Sequence, residues 1–363
     1  MKLVVSSLLL LTACSGSSAH PDAVADTASC TDAELAEVEA MMAATLDAAA
    51  VDPEITTDPD FTVLLETSDG RRFSYDHGAS SATTRYDSAS TSKWVTAVVV
   101  LDLVDRGVLA LDTTANQLLP FWTETAVDLR ELLSFTSGFT DEPTCINNPN
   151  ATFAECVEKI YTDNAATAKS PGTEFYYSGT HMQVAGLMAI RAATATSWSE
   201  LFAAFQARTG LFPTGGYDLP SQSNPRLGGG MTWTGEEYLG FLRALSSGAV
   251  LAPATRGALL ANQRGTATVT ASPVIAQIGE DWAYGLGNWL ECPTAIVPAT
   301  YDCGEGHRNS SAGAYGAYPF IDFDLGYFGI VARQGSLGSG DEGVALARTI
   351  TSLAGRWATK TCD

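Results

Sequence analysis

Ser90 and Lys93 stand three residues apart in STSKWVTAVVVLDLV, at the head of a long apolar run. Residues i and i+3 share one face of a helix, so a helical run brings the Lys93 amine to the Ser90 hydroxyl. A serine beside a desolvated lysine is an activated nucleophile. Burial disfavours the ammonium form, and the neutral amine can then take the hydroxyl proton. Free NH groups at the helix start add positive potential where an oxyanion would develop. The chemistry indicated is nucleophilic attack by the Ser90 hydroxyl. The pattern alone carries little weight, because five lysines and 29 serines in 363 residues produce S-x-x-K by chance roughly 0.4 times.

The element that must carry this pair is a buried helix. WVTAVVVLDLV is too continuous for a surface helix, and Asp102 and Asp105 interrupt it too soon for a membrane span. The whole chain, 45% hydrophobic and 17% charged, has an ordinary globular balance that excludes disordered, collagen-like and coiled-coil classes. Acidic residues outnumber basic ones 41 to 20, a net charge of -21 that repels polyanions and speaks against a nucleic-acid partner. His20, His77, His181 and His307 are far apart and none adjoins a C-x-x-C pair, so neither a metal nor another cofactor is expected. His181 reads as a hydrogen-bonded helix residue.

The ends of the sequence frame the domain. MKLVVSSLLLLTAC has one lysine, a short apolar run and small residues before Cys14, and it resembles the signal and lipobox of bacterial lipoproteins. Residues 1–13 are then a signal peptide, Cys14 is the lipidation site, and 14–29 form the anchor and a flexible tether. The six remaining cysteines favour three disulfides in an exported chain. Cys145 with Cys156 and Cys292 with Cys303 are each eleven residues apart, which leaves Cys30 for Cys362. Thr31 and Glu34 open an amphipathic helix with a capping box, and Ser339 and Glu342 open a second that runs past Trp357. The Cys30–Cys362 bridge would lay these terminal helices side by side.

Between them, FTVLLETSDGRRFSYD reads as strand, Asp-Gly turn and strand, and WAYGLGNWLE, AYGAYPFIDF and YFGIVARQ as three more strands. The expected fold class is α+β: an antiparallel sheet built from both termini, flanked by terminal helices, with a large helical subdomain inserted. The domain covers 30–363, with a sheet part of about 30–82 and 270–363 and a helical part of about 83–269.

Five segments carry a resemblance. STSKWVTAVVVLDLVDRGVLALD (90–112), LRELLSFTSGF (129–139), PGTEFYYSGTHMQVAG (171–186), NPRLGGGMTWTGEEYLGFLRALSSG (224–248) and YGLGNW (284–289) resemble, in order and separation, landmarks of the serine β-lactamase and penicillin-binding protein superfamily. The branch they resemble is the class C and esterase-like one. The resemblance implies the β-lactamase/transpeptidase-like fold and catalysis by Ser90, Lys93 and Tyr177. It places Tyr177 over the serine as the group that relays a proton to the leaving group. The family's Tyr-x-Asn asparagine is Gly179 here. The third motif, Lys-Thr-Gly or His-x-Gly, has no clean copy: one register puts Arg308, Asn309 and Ser310 in its place, and another puts His307 at its head. Arg308 could fork onto a substrate carboxylate, or His307 could donate to one or to the tyrosine. The NH groups near Ser311 and of Ser90 would form the oxyanion hole.

The function expected is a lipid-anchored serine hydrolase of the bacterial envelope, on the outer membrane rather than the inner. It would cleave an ester, an amide or a D-amino-acid peptide, a small-molecule or peptidoglycan-related substrate, and meet the membrane only through its anchor. The other reading is a non-catalytic module of the same fold that binds cell-wall fragments or a partner protein.

Overall fold

A computed structural model describes residues 29–124, 126–295 and 308–362. Seven antiparallel strands form the main sheet: β1 (Phe61–Thr67), β2 (Arg72–His77), β3 (Glu280–Tyr284), β4 (Trp289–Ala295), β5 (Arg308–Ser310), β6 (Tyr318–Asp322) and β7 (Tyr327–Arg333). Their spatial order is β3-β4-β5-β6-β7-β1-β2, so strands from the two ends of the sequence meet where β7 pairs with β1. The run WAYGLGNWLE, expected as one strand, is two: β3 and β4 join through a tight turn in which Gly287 has φ +77°. A Cβ at Gly285 would meet the Leu259 carbonyl at 2.4 Å, so the backbone must be bare there.

Strands β1 and β7 are buried at every position, because helices cover both faces of the sheet. Successive side chains alternate between faces. Leu64 packs against Gly235 and Glu66 pairs with Arg243, both on helix α4 (Gly235–Ser247). Phe61 belongs to the other face. Its register partner Arg333 pairs with Glu342 of helix α5 (Gly340–Thr349) at 2.7 Å. The first helix, α1 (Asp32–Ala50), buries Leu35, Val38, Met42 and Leu46, each worth about 1.5–3 kcal/mol when fully removed from water. It lies against α5 and the last helix, α6 (Thr351–Thr359).

The terminal framework forms as expected at its start: the Thr31–Glu34 capping box is complete, and Cys30 and Cys362 are disulfide-bonded beside a Ser29–Thr361 bridge. Cys145 and Cys156 are also bonded. Cys14, Cys303 and the side chain of Cys292 lie outside the described residues. At the other end the expectation fails in two respects. The last helix breaks at Ile350 into α5 and α6, and the Ser339–Glu342 capping box does not form. Glu342 is instead drawn to the fully buried Arg333 guanidinium and to the Thr57 hydroxyl, 2.7 Å away. A buried cation outcompetes a helix cap for the carboxylate.

The inserted part is mostly helical and is organised around α2 (Ser92–Asp105), buried from Ser92 to Leu103. Helix α3 (Thr180–Ala192) and α4 pack within the same core. Among the described residues no helix is long and apolar enough to cross a membrane.

The Arg333–Glu342 pair predicts an asymmetry. Glu342→Ala strands a buried guanidinium and lowers the unfolding free energy by about 3 kcal/mol or more. Ser339→Ala, whose hydroxyl donates only to the Ser336 carbonyl, changes it by less than about 1 kcal/mol. Denaturant titration of the two variants checks this, and equal losses would contradict it.

Candidate active site

Ser90 sits in a 3-10 turn, Ala89–Thr91, that leads directly into α2. Ala89 has φ +44°, a left-handed conformation that costs a non-glycine residue about 1–2 kcal/mol. The turn is held by groups from the strand Met231–Thr234 and from α4. The Met231 carbonyl accepts the Ser88 NH, the Trp233 indole donates to the Thr91 hydroxyl, and the Tyr238 hydroxyl donates to the Thr91 carbonyl. Strain at the residue before a serine, paid back by three tertiary hydrogen bonds, fixes where that hydroxyl points.

One turn on, Lys93 is only 5% exposed. Its Nζ lies 2.9 Å from Ser90 Oγ and donates to the Gly228 carbonyl at 2.7 Å. It also lies 4.6 Å from the centroid of the Tyr177 ring. Burial holds the Lys93 pKa down to about 7, with the Glu142 carboxylate acting against the fall and Arg226 adding to it. The glycine run 228–230 is needed for close approach, as none of the three has positive φ. A Cβ on Gly228 would stand 3.4 Å from Lys93 Nζ, and one on Gly230 would strike the Leu219 carbonyl at 2.1 Å.

Tyr177 follows the short strand Glu174–Tyr176, which pairs with Thr268–Ala271. Its ring stacks on Trp289 at 5.0 Å and meets Phe135 edge-on at 5.3 Å. Burial pushes its phenol pKa up, against hydrogen bonds with Ser90 and Trp289 that favour the phenolate. The backbone before it is tied down by His181: Nε2 lies 2.9 Å from the Tyr176 carbonyl and Nδ1 2.9 Å from the Ser137 hydroxyl. His181 is therefore the hydrogen-bonded helix residue expected. Burial keeps it neutral, with a pKa lowered to about 4.

The structure thus brings Ser90, Lys93 and Tyr177 together, and it separates the residues of the third motif from them. Arg308 is 4% exposed and turned away: its Nη2 pairs with Asp322 at 2.8 Å and donates to the Tyr327 hydroxyl at 2.7 Å, while its guanidinium lies over Phe320. An arginine bound in this way cannot fork onto a substrate. Asn309, on the opposite face of β5, donates to Asn288 Oδ1 at 2.7 Å inside the core, and Ser310 is fully buried. Ser311 does reach the site, donating from Oγ to the Ser90 carbonyl at 3.1 Å. His307 lies outside the described residues.

The oxyanion expectation concerns the backbone NH groups near Ser311. The NH groups of Ser311 and Gly313 both bond to the neighbouring segment, at the Pro319 and Ala317 carbonyls. Between them, Ala312 lines a cavity together with Ser90. The Ser90 NH, at the start of its helical turn, has no partner within that turn.

The cavity beside Ser90 and Tyr177 has a volume of about 630 Å³. Val269, Val274, Ile275, Ile278, Trp289 and Ala314 give it apolar walls, and among the described residues no lysine or arginine lines it. Three contributors escaped sequence reasoning: Trp289 as the platform for Tyr177, the Gly228 carbonyl as the Lys93 acceptor, and Glu142. Trp289 stands within the segment YGLGNW, but Glu142 carries no local signal.

A family model described as Beta-lactamase matches residues 63–349, and the chain belongs to that family, whose members are generally serine hydrolases. Its fold is the β-lactamase/transpeptidase-like one. A candidate β-lactamase from Bacteroides dorei DSM 17855 is 26% identical, with 88% of this chain and 98% of that one aligned at TM-score 0.69. EstCE1, a hydrolase with promiscuous acyltransferase activity, is 17% identical over 88% of this chain and 99% of its own, TM-score 0.67. The D-amino acid amidase of Ochrobactrum anthropi SV3 is 17% identical over 87% and 99%, TM-score 0.66. The last two share the fold with this chain. Comparison with curated proteins gives no match.

His181 supplies a pH test of the site's rigidity. Its folded pKa of about 4 lies below its ordinary 6.5, so as pH falls between those values the unfolded chain binds the proton first and stability is lost. The Tm should decline from about pH 6.5 toward pH 4, and His181→Gln should flatten that decline. Parallel curves for the two proteins would contradict this account of the residue.

Proposed function

We propose that this chain is a serine hydrolase that cleaves a neutral ester or small amide with an apolar acyl group, through an acyl-enzyme on Ser90. The observation that carries the reading is Ser90 Oγ at 2.9 Å from the buried Lys93 Nζ, on the wall of an apolar cavity of about 630 Å³. The opposite pKa shifts of Lys93 and Tyr177 divide the work between them. Lys93, lowered to about 7, has a neutral fraction at physiological pH and serves as the base. Tyr177, raised by burial, stays a phenol and serves as the acid.

In the first half-reaction Lys93 takes the Ser90 proton as Oγ bonds to the substrate carbonyl carbon. The resulting oxyanion is held by the NH groups of Ser90 and Ala312. Tyr177 then protonates the leaving alcohol or amine as its bond to carbon breaks, and is reprotonated from the adjacent Lys93. Water enters by the reverse roles and releases the acid. The side chains suffice for these steps without a metal or organic cofactor.

The apolar lining and the engagement of Arg308 by Asp322 favour a neutral substrate over a β-lactam or a D-amino-acid peptide bearing a free carboxylate. The non-catalytic reading gains nothing from the geometry, since a binding module has no physical need of a lysine buried against a serine. We also propose that Cys14 carries the lipid anchor and that the domain works outside the cytoplasm. Support comes from the two disulfides among the described residues, which suit an oxidising compartment.

With p-nitrophenyl butyrate, kcat/KM should rise with pH through about 7, and Ser90→Ala and Lys93→Met should each lower it by about 10³-fold or more. Nitrocefin turnover should be at least about 100-fold slower than ester turnover. An undiminished rate in Ser90→Ala would remove the reading. For the anchor, cells expressing the full chain should incorporate labelled palmitate, and the Cys14→Ser variant should not; label in both would place the acyl chain elsewhere.

A further inference from the structure

Two residues beyond Tyr177, where the resemblance calls for an amide side chain, Gly179 presents only backbone. Its NH donates to Glu142 Oε2 at 2.8 Å, and a Cβ placed on it would stand 3.3 Å from Oε1 of the same carboxylate. A Cβ on Gly228 would in turn lie 3.2 Å from the Gly179 Cα and 3.4 Å from Lys93 Nζ. Gly179 thus adjoins the carboxylate, and Gly228 adjoins both Gly179 and the amine. We infer that the Glu142 carboxylate, seated in the space that Gly179 leaves open, is a positioning residue that holds the charge of Lys93 against Ser90.

The segment bearing Glu142 is fixed for this purpose. Its neighbour Asp141 donates its NH to Asn164 Oδ1 at 2.7 Å, while the Asp141 carbonyl accepts from Asn164 Nδ2 at 3.0 Å and from the Thr180 hydroxyl at 2.9 Å. Asn164 is buried at the end of the helix Phe153–Asn164, and the Cys145–Cys156 disulfide ties the same segment to the same helix. Gly179 caps the N-terminus of α3, whose positive end further favours a carboxylate there.

The charges facing Lys93 are few. Glu142 favours the ammonium and Arg226 opposes it, while Tyr177 and His181 are neutral near pH 7. Arg226 is itself directed to Asn147 Oδ1 at 2.7 Å and the Gly229 carbonyl at 3.3 Å. Glu142 is therefore the one acidic group among the described residues that acts against the effect of burial on the lysine. Without it the amine would lose its proton at a lower pH. The carboxylate also keeps Lys93 able to return a proton to Tyr177.

The inference rests on the hydrolase reading of Ser90 and Lys93, and its test separates the two. Only five lysines are present, so 13Cε-lysine NMR of the folded protein resolves the Lys93 titration, with Lys93→Met giving the assignment. Glu142→Gln keeps an oxygen acceptor for the Gly179 NH and removes only the charge. Its Lys93 midpoint should fall by at least about 0.5 in pH below the wild-type value. The rising limb of kcat/KM should move down by the same amount, while Tm stays within about 2 °C of wild type. Gly179→Asn, which crowds the carboxylate out, should shift the midpoint in the same direction. An unmoved midpoint in Glu142→Gln would overturn the inference and leave Glu142 a helix cap. The NMR titration needs no turnover, so its outcome stands whether or not Ser90 proves to be a nucleophile.

Discussion

The structure depends on an ammonium-bearing side chain kept out of water. Lys93 lies in the first turn of a helix that is buried from Ser92 to Leu103, and placing an amine there disfavours its charged form. The cost is accepted because three groups meet it at once: the Ser90 hydroxyl, the Gly228 carbonyl and the face of the Tyr177 ring. Each comes from a different stretch of chain, so the lysine can be housed only when α2, the glycine run and the Tyr177 segment are all in place. The surrounding fold reads as the means of satisfying that condition.

Rigid layers serve it. The sheet closes the two ends of the sequence on each other through β7 and β1, with α4 on one face and the terminal helices on the other. Helix α4 is shared: it covers the sheet through Arg243 and Glu66, and steadies the Ser90 turn through Tyr238. β4 is shared too, as Trp289 is both a strand residue and the surface on which Tyr177 stacks. The site is therefore built at the seam between sheet and helical insertion. Opposed pKa shifts in adjacent side chains, one lowered and one raised by the same desolvation, are the chemical product of that seam.

Much of this was legible in the sequence because it is local. The i, i+3 spacing of Ser90 and Lys93, the Thr31–Glu34 box, the apolar stripe of α1 and the Asp-Gly turn depend on neighbours a few residues away. What was not legible depends on register and on distant partners. Whether Arg308 faces the substrate or the core is a question of strand parity, and a slip of one residue reverses the answer. Ser339 and Glu342 have capping-box spacing, but the sequence does not show that Arg333 will arrive on the adjacent face and take the carboxylate. Glu142 stands 37 residues from Gly179, and no periodicity links a carboxylate in one loop to a missing amide in another.

The central claim is that burial of Lys93 makes Ser90 a nucleophile, and the most direct measurement is covalent. The folded domain, residues 30–363, is treated with a fluorophosphonate across a pH series, and the adduct is followed by intact mass spectrometry and located by peptide mapping. The account predicts one adduct per chain on Ser90, forming at a rate that rises through about pH 7 and is lost in Lys93→Met. A folded protein that takes no adduct, or takes it at another residue, would contradict it.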